Sequence, residues 1–205
     1  MKKMYGGGRS MSFVVCVATT DNVIIAGDTQ TNTDQGPTDI TATKVFTIGE
    51  NTLVGITGKY QTYIETVNAR MTALDVENAS FNEKVDYVKT MIHGKENNAV
   101  IAGVEDGKVK LVVMGNEYGY VDSIINVNVG AEVKALLPPG ITVEMCKPYI
   151  SSLDNLKSQV INCIKQISHM SDTVNDKVFG LETDGEKCKA FTSGREYSDI
   201  TIRIE

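Results

Sequence analysis

The chain has 205 residues, of which 41% are hydrophobic and 22% are charged, and its formal net charge is −6. These values suit one soluble globular domain with a sizeable core. The acidic balance and the lack of a Lys/Arg cluster argue against nucleic acid or an anionic membrane as the main partner. No apolar run in the sequence is long enough to span a bilayer.

The first eleven residues contain three consecutive glycines and lack the apolar stretch of a secretory signal. We therefore expect residues 1–11 to be a leader or propeptide, or sequence upstream of a start at Met11, and residues 12–205 to form one domain. The four cysteines are scattered and predict reduced thiols in a cytoplasmic protein. With two histidines and no metal-type cluster, neither a metal nor a cofactor is expected.

The first quarter of the domain is predicted to consist of strands and turns. Two β-type apolar runs flank Thr20-Asp21-Asn22, which indicates a hairpin, and a polar, Thr-rich loop follows it. The predicted strands cover about residues 12–19, 22–29, 41–48 and 52–57.

Two helices are predicted next. Apolar residues recur at helical spacing over about 59–76. Ser80, followed three residues later by Glu83, is a capping-box signature that starts a second amphipathic helix ending near Gly94.

Strands return in the second half, where Asp106-Gly107 is a hairpin signal. A short helix is expected between Gly130 and the Pro138-Pro139 stop, and Ser151 with Asp154 is expected to cap another helix. The apolar face of that helix would be Leu153, Leu156, Val160, Ile164 and Ile167. The predicted strands cover about residues 99–104, 109–114, 123–129, 178–183, 188–192 and 200–204.

Antiparallel hairpins dominate this order, and the helices come in pairs rather than after each strand. The order therefore argues against a doubly wound parallel sheet. It permits two stacked antiparallel sheets with helices outside them.

Four features occur together near the start of the domain: Ser12, the phrase Ile25-Ala26-Gly27-Asp28 that ends the second strand, Lys44 before a third β-type run, and Gly55-Ile56-Thr57-Gly58. In these features the chain resembles proteasome β-type subunits and their bacterial ring-protease relatives, which are N-terminal-nucleophile hydrolases. The resemblance extends to about residue 193. It implies an α+β fold, a four-layer αββα sandwich of two antiparallel sheets flanked by helices.

The resemblance also implies a catalytic set. Ser12 would be the nucleophile and its own α-amine the base, because an isolated hydroxyl needs a base within reach. Asp28 and Lys44 would support that base, Gly58 would offer its N–H to the oxyanion, and Ser171 would complete the site. The implied function is peptidase activity on a peptide or protein substrate, in a homo-oligomeric ring with an ATPase partner.

Three departures from the family keep other functions open. Met11 precedes Ser12, whereas processed relatives carry Gly there; Ser168 replaces an Asp, and Ala131 replaces a supporting hydroxyl residue. These departures favour a catalytically inactive structural subunit, and a small-molecule amidase is a third reading. His169, beside Ser168, is interpreted as a helix-end residue.

Overall fold

A computed structural model describes residues 12–33, 36–58, 78–120, 123–193 and 195–197. The expected leader, the helix expected over 59–76 and the strand expected at 200–204 lie outside these ranges. The first strands are β1 (Val14–Thr19), β2 (Val23–Asp28), β3 (Gln30–Thr33), β4 (Gly36–Thr41), β5 (Val45–Thr47) and β6 (Thr52–Gly58).

The remaining described elements are one helix, four strands, three helical segments and three further strands. Helix α1 (Phe81–Ile92) is followed by β7 (Asn97–Glu105), β8 (Lys108–Gly115), β9 (Ile125–Val127) and β10 (Ala131–Leu136). Then come α2 (Val143–Cys146), a 3-10 turn (Lys147–Tyr149), α3 (Leu156–Ser168), β11 (Val178–Thr183), β12 (Cys188–Thr192) and β13 (Arg195–Tyr197).

The described strands form three antiparallel sheets. The first has the order β10-β1-β2-β11-β12-β13, the second has the order β5-β6-β7-β8-β9, and β3 pairs with β4 in a small third sheet. The hairpins predicted around residues 20–22 and 106–107 are confirmed as β1–β2 and β7–β8, and β11 and β12 form a third hairpin.

The two large sheets pack face to face, and alternation along each strand decides which side chains lie between them. Val14 and Cys16 of β1 belong to the core between the sheets, together with Leu53 of β6. Val15 of β1 faces the other way, into a core shared with α3, and Ile56 of β6 faces a core shared with α1. Burial of each such aliphatic side chain contributes about 1.5–3 kcal/mol.

Two contacts fix the relative direction of the large sheets. Thr183, which pairs with Val23 at the start of β2, donates its hydroxyl to the Glu50 carbonyl just before β6, at 2.9 Å. At the other end of β6, the Ile56 N–H donates to the Lys44 carbonyl at 2.9 Å, and Lys44 contacts Asp28. Strands β2 and β6 therefore end on the same side of the molecule, where antiparallel β1 begins. We call this side, defined by Ser12, Asp28 and Gly58, the Ser12 end.

The predicted α+β, four-layer αββα sandwich is wrong. Among the residues that the structure describes, the fold is mostly β, with 43% strand against 20% helix, three antiparallel sheets and three helices. Within the described ranges the helices have 12, 4 and 13 residues, and they do not build the two paired helical layers that the prediction required. Strand pairing between distant segments, rather than helical packing, accounts for most of the architecture.

Three local predictions also need correction. Residues 131–136 are not helical but form β10, because they pair with β1 along its whole length. The expected loop after β2 contains the β3–β4 pair. Helix α3 begins at Leu156 after Asn155 in a left-handed conformation, not at Ser151, and Leu153 is 57% exposed instead of packed. The capping box at Ser80 is confirmed.

Candidate active site

Asp28 is a buried carboxylate at the last position of β2. Its Oδ1 accepts the Phe13 N–H at 2.8 Å, and its Oδ2 accepts the Gln30 N–H at 3.0 Å. The Asp28 N–H donates in turn to the Phe13 carbonyl at 3.2 Å. The carboxylate is thus fixed by backbone on both sides, directly beside the residue that follows Ser12.

Lys44 completes this group of contacts. Its Nζ lies 2.6 Å from Asp28 Oδ2, and both side chains are buried. Gly27 leaves the space for this approach, because a Cβ there would lie 3.1 Å from the Phe13 carbonyl oxygen and 3.5 Å from Lys44 Cβ. Lys44 also bonds to β6 through its carbonyl, so the ion pair joins the two large sheets at the Ser12 end.

Burial is the largest influence on the protonation of the pair. Loss of solvent raises the pKa of Asp28 and lowers the pKa of Lys44, and their mutual attraction and hydrogen bond oppose both shifts. Removing two charges from water costs so much that an apolar pair of similar size is often at least as stable. The pair therefore gives the fold little net stability, and buried charges of this kind are more typical of functional sites.

Ser12 directly precedes Phe13, whose N–H binds Asp28, and Ser12 is 8% exposed. Phe13 packs on the α3 side of the first sheet, and Val14 packs between the sheets. Alternation along the extended chain therefore places the Ser12 side chain on the same face as Val14, between the sheets.

Gly58 ends β6 at the same end of the molecule. Its φ is +123°, and a Cβ there would lie only 2.3 Å from the Glu96 carbonyl oxygen and 2.6 Å from Asn97 Nδ2. No residue with a side chain fits this position, so the close approach of β6 and β7 requires glycine.

Ser171 lies nearby but bonds elsewhere. Its hydroxyl is 2.9 Å from Thr173 Oγ1, and the Thr173 carbonyl accepts the Asn32 side-chain amide at 3.0 Å. The Asn175 side chain accepts the Thr29 N–H at 3.1 Å. This segment therefore runs beside the residues that follow Asp28, while the Ser171 hydroxyl bonds to Thr173.

The structure separates one of the departures, Ala131, from the site. Ala131 pairs with Thr19, five residues along β1 from Val14 and so about 17 Å from the Ser12 end. Its lack of a hydroxyl therefore removes nothing from the surroundings of Ser12. Ser168 bonds to the Lys165 carbonyl within α3 at 2.7 Å. His169 is the exposed C-cap of α3, as predicted.

Sequence reasoning missed the loop at 137–140, which lies at the Ser12 end. Leu136 pairs with Val14, so the loop at 137–140 follows directly beside the start of β1. It also missed Thr57, whose buried hydroxyl has no hydrogen-bond partner among the described residues. The run Gly55-Ile56-Thr57-Gly58 offered a signal, since a polar side chain there interrupts an apolar strand.

No protein-family model matches the chain, and no curated protein matches it significantly. Within the described ranges, no group of three or more His, Cys, Asp or Glu side chains could hold a metal ion. None of the helices in the described part of the chain is long and apolar enough to cross a membrane.

Proposed function

We propose that this protein is a proteasome-like N-terminal-nucleophile peptidase that hydrolyses amide bonds with Ser12 as the nucleophile. The observation that carries the proposal is the buried Lys44–Asp28 pair, at 2.6 Å, held against the backbone that follows Ser12. A buried pair with little structural value, placed beside a hydroxyl at the junction of two sheets, is best explained by chemistry on that hydroxyl.

In this proposal the base is the α-amine that cleavage before Ser12 would expose. Its ordinary pKa of about 8 leaves part of it neutral near pH 7. A nearby Lys44 ammonium disfavours a second positive charge and so lowers the pKa of the amine further. Burial lowers the pKa of Lys44, and the charge and hydrogen bond of the Asp28 carboxylate oppose that shift and hold the ammonium in place.

The hydrolysis would then follow the usual order of nucleophilic catalysis. The amine takes the Ser12 hydroxyl proton as Oγ attacks the substrate carbonyl, and returns that proton to the leaving amine. The backbone at Gly58 would stabilise the oxyanion, an effect typically worth about 3–4 kcal/mol. Water then releases the acyl group from Ser12.

The rest of the proposal depends on the resemblance alone. The substrate would be a peptide or protein, the enzyme would work in the cytoplasm as a homo-oligomeric ring, and an ATPase partner would deliver substrate. A ring would confine substrates to an inner chamber and so protect other proteins from the peptidase.

The decisive experiment combines N-terminal sequencing of protein made in its native host with a Ser12→Ala variant. We expect a chain that begins at Ser12, and loss of all amide hydrolysis in the variant. Ser151→Ala is the matched control, because Ser151 is exposed and remote from the ion pair, and its activity should equal that of the parent. Undiminished turnover by Ser12→Ala, or turnover by a chain that retains residues 1–11, contradicts the proposal.

A catalytically inactive structural subunit is the second candidate. It is favoured by the Met11–Ser12 peptide bond, which leaves Ser12 without a free amine in the full chain. For this function the native-host protein should keep residues 1–11, hydrolyse nothing, and still assemble with other subunits. Intact mass measurement alone separates the two candidates.

A further inference from the structure

The Thr57 side chain is 2% exposed, and its hydroxyl has no hydrogen-bond partner among the described residues. Buried hydroxyl groups nearly always have a partner, because an unmade bond costs the full loss of hydration. Because the Thr57 hydroxyl lies next to a candidate active site, we expect it to form its hydrogen bond when the enzyme reacts.

Alternation along β6 shows where this hydroxyl points. Ile56 packs in the core shared with α1, on the outer face of the second sheet. Gly55 faces the first sheet, since a Cβ there would lie 2.5 Å from Val14 Cγ1. Thr57 is two residues from Gly55, so its side chain faces the first sheet as well.

Ser12 is two positions away from Val14 in the chain, as Thr57 is from Gly55. It lies two residues before Val14, the first residue of β1, and Thr57 lies two residues after Gly55 on β6. Because β1 runs opposite to β2, and β6 runs in the direction of β2, both steps lead towards the Ser12 end. The Ser12 side chain and the Thr57 hydroxyl therefore enter the same space between the sheets.

We propose that Thr57 is a positioning residue that donates its hydroxyl hydrogen to Ser12 Oγ in the reacting enzyme. This inference rests on the proposed function. Serine lacks the second Cβ substituent that restricts threonine at χ1, so its hydroxyl can occupy three staggered positions. A donor from Thr57 selects one of them and leaves the Ser12 hydrogen free to go to the base.

The test uses Thr57→Val and Thr57→Ser in the complete protein, processed in its host. Valine keeps the shape but removes the hydroxyl, so kcat should fall about tenfold at unchanged KM, the loss of one modest hydrogen bond. The melting temperature should stay the same or rise, because no existing bond is lost. Thr57→Ser should keep most of the activity.

Thr183→Val is the matched control. The Thr183 hydroxyl is equally buried but donates to the Glu50 carbonyl and accepts the Gly185 N–H, at the opposite end of the sheets. This variant should lower the melting temperature and leave kcat unchanged. If the Thr57 hydroxyl instead stabilised the fold through a hydrogen bond, Thr57→Val would behave like Thr183→Val.

The pH profile provides a readout that a structural role would not change. Loss of the Thr57 donor loosens the contact from Ser12 to the neutral amine, so the acidic limb of kcat/KM should move to higher pH in Thr57→Val. An unchanged kcat and pH profile, a fall in melting temperature like that of Thr183→Val, or equal losses in Thr57→Val and Thr57→Ser would overturn the inference.

Ser12→Ala, measured in the same series, separates the two proposals. If Ser12→Ala is inactive and Thr57→Val is fully active, only the role of Thr57 is wrong. If Ser12→Ala is fully active, or if the parent protein hydrolyses nothing, the proposed function fails and the role of Thr57 fails with it.

Discussion

Lys44→Met is the most informative perturbation of the fold. It keeps the apolar stem of the side chain and removes the ammonium that lies 2.6 Å from Asp28. The Asp28 carboxylate, which is 0% exposed, then remains buried without its counter-ion. It keeps the N–H groups of Phe13 and Gln30, which limits the loss but does not balance the charge.

We expect a cost of about 3 kcal/mol at pH 7, the lower end of the range for removing one partner of a buried pair. For a chain of this size that corresponds to a fall in melting temperature of about 6–12 °C. The cost should shrink towards pH 5. Without Lys44 the pKa of Asp28 rises further, so the folded variant binds more protons than the unfolded chain, and its stability falls as the pH increases.

Urea denaturation followed by circular dichroism, at pH 5 and pH 7 and constant ionic strength, measures both effects. Lys147→Met is the matched control, because its pair with Glu144 is 3.3 Å long and its side chain is 68% exposed. It should cost less than about 0.5 kcal/mol at either pH. A cost below about 1 kcal/mol for Lys44→Met at pH 7, or a cost that grows on acidification, would refute the reasoning.

Two further predictions concern packing and thiol chemistry. Gly55→Ala should destabilise the protein by about 1–3 kcal/mol in thermal unfolding, because the new Cβ would lie 2.5 Å from Val14 Cγ1 and 3.0 Å from Ile25 Cγ2. Val14→Ala in the same chain should recover part of that loss, and full additivity would contradict the contact. Burial raises the pKa of Cys188 to about 11 from its usual 9.0, so iodoacetamide at pH 8 should alkylate it about 100-fold more slowly in the folded than in the unfolded protein. Peptide mapping by mass spectrometry measures this rate, which should rise towards pH 11; equal rates in both states would show that the thiol is not buried.

The sequence alone predicted the local elements well. The β1–β2 and β7–β8 hairpins depend on short-range turn signals and alternating apolar residues, and the start of α1 depends on a capping box of adjacent residues. Each of these features is stabilised mainly by neighbours in the chain, so the pattern carries enough information to locate it.

Prediction from the sequence failed where pairing with a distant segment decides the structure of a residue. Residues 131–136 became β10 because β1 offered them a complete antiparallel partner, which outweighed any local preference for helix. The αββα prediction failed for a related reason: periodicity indicates amphipathic segments but not how much of each sheet the helices cover. Ala131 was assigned to the wrong end of the molecule because a motif match contains no pairing register.

For the candidate site, the sequence supplied the residue types and their order, and resemblance brought Ser12, Asp28 and Lys44 into one hypothesis. Only the tertiary structure decided that Lys44 reaches Asp28 across the junction of two sheets, that Ala131 lies far away, and that the Thr57 hydroxyl is buried without a partner. The physical reason is that turns and caps are properties of neighbouring residues. A charge pair or an unpaired hydroxyl depends on which distant surfaces exclude water together.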